Sequence, residues 1–269
     1  MTVPRRLVLI GHPVAHSLSP RMQSAALAAA GVTATYSALD VAPAQLVASI
    51  DRLRTEGAAG NVTIPHKEPV FAMCGRVSEI ARLAGAVNTF WFEDGVLVGT
   101  NTDVGGFNHV VRQLMSQHHR PMPVRVAIIG AGGSARAVAT AVSRWDGAKA
   151  TIWSRTAERA RELARGYDCA RAEPDLASAV QGAHLVVNAT PIGLHDDLFP
   201  APVDMLASDS AVVDLVYRSG ATSWVRAVRA HGIVATDGLP MLVEQGALAF
   251  ECWFGVEPNR RVMWEAVTG

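Results

Sequence analysis

Short apolar runs alternate with amphipathic stretches along nearly the whole chain. Residues 5–10, 35–41 and 58–63 read as buried strands. Helical patterns over 20–30 and 43–56 separate them, and a third covers 69–84. Two further strands, 89–92 and 96–99, flank Glu93-Asp94-Gly95, and Asp-Gly between apolar arms is a strong hairpin signal. A helix then runs from Gly105-Gly106 to about Gln117. The polar, proline-bearing connector 117–123 is the best candidate for a local break. Beyond it the strands 124–130, 150–153, 185–188, 211–215 and 232–235 alternate with helical segments 134–144, 157–165, 176–180 and 222–231. That alternation predicts a mainly parallel, doubly wound sheet. Residues 241–253 form a long apolar helical pattern, followed by a shorter tail.

Composition narrows the class. The chain has 269 residues, 49% hydrophobic and 18% charged, which suits a globular protein of one large or two modest domains. A formal net charge of zero offers no basic field for nucleic acid or an anionic membrane. The apolar run 7–10 is too short for a signal segment, and no run approaches a membrane span. Cys74, Cys169 and Cys252 stand far apart, so neither a disulfide framework nor a CxxC site is expected, and a reducing cytoplasm fits. His118 and His119 are adjacent and read as solvated. No HExxH or Cys/His constellation exists, and no metal is expected.

Gly130-Ala131-Gly132-Gly133-Ser134-Ala135 fits G-x-G-x-x-A, directly after one expected strand and opening an expected helix. Glycines there allow a tight turn and close backbone approach, and free N–H groups at the helix start hold a pyrophosphate. The next strand ends in Ser154-Arg155-Thr156, where an NAD site usually presents an acidic residue. Arg159 follows Arg155 by four residues, on the same helix face. Two guanidiniums can converge on a 2′-phosphate, or both can be plain solvated cations; the missing carboxylate favours NADP.

Only Lys67 and Lys149 are lysines among 24 basic residues. Lys67 closes Asn61-Val62-Thr63-Ile64-Pro65-His66-Lys67, a loop after a strand. Unlike arginine, lysine can exchange protons when its surroundings tune it, although an ordinary solvated cation also fits. Ser17 and Ser19 precede a helix start, where either a cap or an anion site is possible. Asp103 stands at a strand exit near another helix start, where it could merely cap.

Taken in order, Ser17-Leu18-Ser19-Pro20, the Asn61-to-Lys67 stretch, Gly85-Ala86-Val87-Asn88-Thr89, Asn101-Thr102-Asp103 and the glycine loop resemble the shikimate dehydrogenase family. So do Ser154-Arg155-Thr156, Asn188-Ala189-Thr190-Pro191-Ile192-Gly193, Asp214-Leu215-Val216-Tyr217 and the run from Asp237 to Gln245. The resemblance spans nearly the full length. It implies an α/β protein of two domains with a cleft between them: a substrate domain, 1–104, rejoined by C-terminal helices over 238–269, and a Rossmann-type NADP domain, 105–237. The implied reaction is reversible hydride transfer between NADPH and 3-dehydroshikimate, with a quinate or aminoshikimate paralogue, or a silent NADP-binding sensor, as alternatives. The small-molecule substrate would be a cyclohexene polyol carboxylate, handled by a monomer or homodimer.

By the same resemblance Ser17, Ser19 and Tyr217 would hold the substrate carboxylate, and Thr63, Lys67, Asn88, Asp103 and Gln245 would surround its hydroxyls and carbonyl. Thr190, Leu215 and Gly238 would lie along the cofactor, with Glu79 nearby. Ketone reduction builds negative charge on oxygen, so a proton donor must stand beside it. Lys67 suits that general acid/base role, with Asp103 supporting it. The sequence departs from the family pattern at Gln23-Ser24, where His-Asn is common. It departs again at Ser154 in place of Asn, and at Ser219 in place of a proline. None of these removes an implied catalytic group; they bear on which ring is the substrate.

Overall fold

The computed structural model describes residues 3–269. In chain order the elements are β1 (Arg6–Gly11), α1 (Ser19–Ala29), β2 (Thr35–Asp40), α2 (Leu46–Thr55), β3 (Ala59–Val62), α3 (Lys67–Met73), β4 (Arg76–Val77) and α4 (Glu79–Ala84). They continue with β5 (Thr89–Glu93), β6 (Val96–Thr100), α5 (Thr102–Gln117), β7 (Arg125–Ile129), α6 (Gly133–Val142), β8 (Lys149–Trp153), α7 (Ala157–Arg165), β9 (Ala170–Ala172) and α8 (Leu176–Val180). Last come β10 (Leu185–Asn188), β11 (Ala211–Asp214), α9 (Ser223–Ala230), β12 (Val234–Thr236), α10 (Leu239–Phe254) and α11 (Arg260–Thr268).

Two compact units emerge. The first runs to Gly106 and takes in Leu242–Gly269; the second is Phe107–Met241. The divisions expected at 104/105 and 237/238 are drawn here at 106/107 and 241/242, inside α5 and α10 rather than in loops. The connector 117–123 breaks the helix but lies within the second unit.

The first unit carries a mixed sheet ordered β2-β1-β3-β5-β6-β4. Strands β2, β1 and β3 are parallel; β5 turns antiparallel to β3, and β6 to β5. Asp94 and Gly95, both at positive φ, close the β5–β6 hairpin, as Asp-Gly predicts. One core joins Val8, Ile10, Ile50, Leu53, Val70 and Phe90. The helix expected over 69–84 is interrupted. Cys74 turns extended, β4 pairs with β6, and the Ser78 hydroxyl caps α4 by accepting from Ala81 N at 3.2 Å. A two-residue strand is too short to show a period. The tail is helical, as the C-terminal helices expected over 238–269 require. It forms α11, capped by Asn259, whose Oδ1 accepts from Val262 N.

The second unit carries six parallel strands ordered β12-β11-β10-β7-β8-β9, reversing direction of progress between β7 and β10 as in a Rossmann fold. Only β9, three residues long, was not legible as a strand. Ala127, Ile129, Val186, Val212, Val225 and Val228 surround Trp224, whose indole N–H donates to Ala201 O at 2.9 Å. Among the described residues no helix is long and apolar enough to cross a membrane.

Trp224 therefore carries both volume and a buried polar contact. Trp224→Ala is expected to cost roughly 3–5 kcal/mol, lowering Tm by about 10 °C in thermal denaturation. Trp224→Phe, which gives up chiefly the N–H bond, should lose much less. Equal losses would mean that ring volume is not what matters.

Candidate functional site

Pairing direction gathers the first unit's candidates on one sheet edge. The parallel strands β1 and β3 both end there, delivering Ser17–Ser19 and Thr63–Lys67. The antiparallel strand β5 starts there, just after Asn88, and β6 ends there, just before Asp103. Backbone bonds fix the spacing: Val62 N donates to Asn88 O at 2.8 Å, Asn88 N to Thr100 O at 3.1 Å, and Val87 N to Lys67 O at 2.9 Å.

Lys67 opens α3, and Asp103 lies in the first turn of α5. The Lys67 Nζ donates to Asp103 Oδ2 at 2.7 Å, with side chains only 10% and 8% exposed. An aspartate near a helix N-terminus is favoured by the helix dipole, whereas a lysine there is opposed by it. The carboxylate offsets that opposition and keeps a buried ammonium paired. Asp103 thus binds lysine rather than capping its helix.

Beneath the pair runs a buried polar network. Tyr36 Oη donates to Asn61 Oδ1 at 2.8 Å, and Asn61 Nδ2 donates to Asn88 O and Thr89 Oγ1. Asn88 Oδ1 accepts from Thr102 N at 2.7 Å, and its Nδ2 approaches Gln245 Oε1 at 3.4 Å. Gln245 comes close because Gly106 lacks a Cβ; one added there would sit 2.9 Å from Gln245 N. Thr63 is half-buried, and its methyl lies against Gly11. Ser19 does not cap α1. It is already the first helical residue, the cap falls on Leu18, and Ser17 Oγ accepts from Ser19 N at 3.2 Å. Of the remaining candidates, Tyr217 belongs to the second unit, and exposed Glu79 stands in the first turn of α4 in the first unit.

In the second unit the candidates also share one edge, at the carboxyl ends of β7, β8, β10, β11 and β12. Gly130 has φ +119°, and a Cβ on it would lie 2.7 Å from Ala189 O. Its N–H donates to Trp153 O. Extended Gly132 precedes α6 and makes no side-chain cap bond, so the helix presents its N-terminal dipole end at this edge, where an anion is favoured. Ala131, Gly132, Gly133 and Ser134 are half-buried and Ala135 is buried, packing the helix start onto the sheet. These features fit a dinucleotide pyrophosphate.

Ser154 is half-buried after β8, and Arg155 and Thr156 are exposed. Thr156 is the extended N-cap and α7 starts at Ala157, so Arg155 precedes the helix. It therefore does not share a helix face with exposed Arg159, contrary to what the spacing of four predicts. Neither Arg155 nor Arg159 forms an ion pair among the described residues, so both guanidiniums remain available to a phosphate. Thr190 packs its methyl against Gly130, Leu215 N donates to Asn188 O, and Gly238 N donates to Val216 O.

Sequence reasoning did not assign Asn61, Thr89, Thr102, Asn188, Asp214 or Thr222 a place in the site. A polar residue closing an apolar strand, as Asn188 and Asp214 do, was the available signal; their pairing was not visible. Asp214 is fully buried, accepting from Asn188 Nδ2 at 2.8 Å, Val216 N at 3.0 Å and Thr222 Oγ1 at 2.7 Å. Burial nevertheless pushes its carboxyl up to about 6, with the Asp237 charge adding to the rise.

Comparison with known proteins identifies the family of the chain. Residues 9–90 match the shikimate dehydrogenase substrate binding domain, 238–268 the shikimate 5′-dehydrogenase C-terminal domain, and 125–218 the family described as NADP oxidoreductase coenzyme F420-dependent. Shikimate dehydrogenase (NADP(+)) of Symbiobacterium thermophilum is 43% identical over 268 residues, covering 93% of this chain and 89% of that one. The crystal structure of shikimate 5-dehydrogenase from Thermus thermophilus with NADP(H) and shikimate superposes with a TM-score of 0.86, at 39% identity and 97% coverage of both chains. Quinate dehydrogenase of Corynebacterium glutamicum, solved with NAD, is 31% identical with a TM-score of 0.86 and 98% coverage of both chains. The chain belongs to the shikimate dehydrogenase family.

The Asp214 shift has a measurable sign. The folded protein holds this proton more tightly than the unfolded chain, so its contribution favours folding below pH 4 and is lost as pH rises through about 6. Asp214→Asn removes that dependence. Between pH 4 and 7, wild-type stability should fall relative to the variant by roughly 3 kcal/mol in urea unfolding. Parallel pH curves for the two proteins would contradict the assignment.

Proposed function

We propose that this chain catalyses the reversible NADPH-dependent reduction of 3-dehydroshikimate to shikimate, a CH–OH oxidoreductase step of aromatic amino acid biosynthesis. One observation carries the reading: the buried Lys67–Asp103 pair stands on the sheet edge of the unit that matches the substrate binding domain of the family. Relatives named shikimate dehydrogenase (NADP(+)) support the substrate and cofactor. Catalysis by Lys67 and Asp103, and the binding roles below, are our assignments.

NADPH, held by the 130–135 loop, would supply the hydride to the ring carbon. The protein handles the proton. As negative charge builds on the carbonyl oxygen, Lys67 Nζ donates a proton to it; in the oxidative direction Nζ accepts the hydroxyl proton. Asp103, accepting from Nζ, fixes its direction and compensates its charge. Asn88 is held rigid by Thr102 and Thr89, so with Thr63 and Gln245 it offers preset hydrogen bonds to ring hydroxyls. Ser17 and Ser19 would receive the substrate carboxylate.

For the cofactor, the 130–135 loop would hold the pyrophosphate. Arg155 and Arg159, with Ser154 and Thr156, would take the 2′-phosphate. Thr190, Leu215 and Gly238 would line the nicotinamide half. The unit ending at Gly106 and resuming at Leu242 is then the substrate domain, and Phe107–Met241 the NADP domain. We also propose a monomer or homodimer working in the cytoplasm, a compartment consistent with three unpaired cysteines.

Lys67→Ala should lower turnover by about 10³-fold while leaving NADP⁺ binding within about twofold in fluorescence titration. Substantial residual turnover would remove Lys67 from the chemistry. Arg155→Ala should raise the KM for NADP⁺ by about tenfold and leave that for NAD⁺ nearly unchanged; equal effects on both would defeat the 2′-phosphate assignment. A steady-state panel of shikimate, quinate and aminoshikimate, each with NADP⁺ and NAD⁺, tests the whole reading. Shikimate with NADP⁺ should give the highest kcat/KM, and preference for another ring or no turnover at all would refute it.

A further inference from the structure

Asn188 and Asp214 close adjacent strands and face each other in full burial. The Asn188 amide uses its whole hydrogen-bonding capacity. Nδ2 donates to Asp214 Oδ1 at 2.8 Å and Ile192 O at 3.1 Å, while Oδ1 accepts from Thr190 N at 3.0 Å and Thr190 Oγ1 at 2.7 Å. The Thr190 hydroxyl, having donated, accepts from Ile192 N at 3.2 Å. Every bond in the 188–192 turn is therefore polar in one sense only.

That sense is set at Asp214. Its Oδ1 also accepts from Val216 N, and its Oδ2 accepts from Thr222 Oγ1, which is itself committed to Val225 N as the cap of α9. A carboxylate surrounded by three donors accepts only. The amide of Asn188 can then present only its NH2 to Asp214, and its oxygen must face Thr190. Reversing the amide would set oxygen against carboxylate and NH2 against the Thr190 N–H. Next in line is the glycine loop: Thr190 Cγ2 lies 3.1 Å, and Ala189 O 2.7 Å, from the place a Gly130 Cβ would take.

We propose that Asp214 and Asn188 are positioning residues of the dinucleotide site, with Asp214 locking the Asn188 amide and Asn188 holding the 189–193 turn against the glycine loop in the shape that receives the cofactor. This rests on the reading that the second unit binds NADP. Neither side chain need touch the cofactor. The pair acts through Thr190 and through the close Gly130–Ala189 approach.

The test measures NADP⁺ affinity by isothermal titration, with KM for NADP⁺ and for shikimate and Tm in parallel. Wild type must bind NADP⁺; if it does not, the functional reading fails and this inference with it. Asp214→Ala frees the amide and should raise the NADP⁺ Kd and KM at least tenfold, with the shikimate KM within twofold. Asp214→Asn keeps an acceptor for Asn188 and Val216 and should recover affinity to within about threefold of wild type. If Asp214→Ala does not fold, Asn188→Ser decides. Its hydroxyl leaves Asp214 a donor but is too short to serve Thr190 and Ile192 together, so NADP⁺ affinity should again fall at least tenfold. A folded Asp214→Ala or Asn188→Ser protein that binds NADP⁺ within twofold of wild type, with only Tm reduced, would overturn the proposal and leave the pair a purely structural tie.

Discussion

The first unit is arranged around the constraint of keeping an ammonium and a carboxylate buried together. Lys67 and Asp103 are each about nine-tenths covered and 2.7 Å apart. Isolated, either charge would be strongly disfavoured in that setting; paired, they hold each other in place but add little stability that well-packed apolar residues could not supply. Such a pair is better explained by what it does than by what it stabilises. Its geometry needs the ends of β3 and β6 on one sheet edge, and that in turn needs β5 to run antiparallel to both of them. That reversal separates this mixed sheet from the all-parallel sheet of the second unit.

Both units follow one logic at different chemistry. Each places buried polar residues at or near the strand ends along one sheet edge. In the first unit Asn61, Asn88 and Thr102 form a connected buried network, each amide or hydroxyl satisfied by the next. In the second, Asn188, Asp214 and Thr222 do the same. A satisfied network of this kind is rigid because breaking one bond leaves a buried donor or acceptor without a partner. Function then rests on positions whose rotamers are fixed before any ligand arrives, which is what proton transfer and pyrophosphate binding require.

Much of this was legible in the sequence. The period of the apolar runs predicted the strand–helix alternation, and Asp94-Gly95 predicted the hairpin. Gly130 to Ala135 predicted a glycine turn between strand and helix, and the scarcity of lysine drew attention to Lys67. Less visible were features that depend on partners far along the chain. A two-residue strand such as β4 exists because β6 is beside it, not because of its own pattern. Ser19 reads as a cap locally, yet the helix begins one residue earlier than a Ser-Pro pair suggests. Asn188 and Asp214 are twenty-six residues apart, and only the parallel register of β10 and β11 brings them together.

The claim that matters most is that Lys67 moves the proton. Chemical rescue tests it most directly: the Lys67→Ala enzyme is assayed for shikimate oxidation with NADP⁺ in the presence of added small primary amines at constant ionic strength. The account predicts that turnover rises with amine concentration, saturating as the cavity left by the side chain fills. Tertiary amines of similar basicity, too bulky for that space, should rescue far less. Turnover that is indifferent to every amine, in an enzyme that still binds cofactor and substrate, would contradict it.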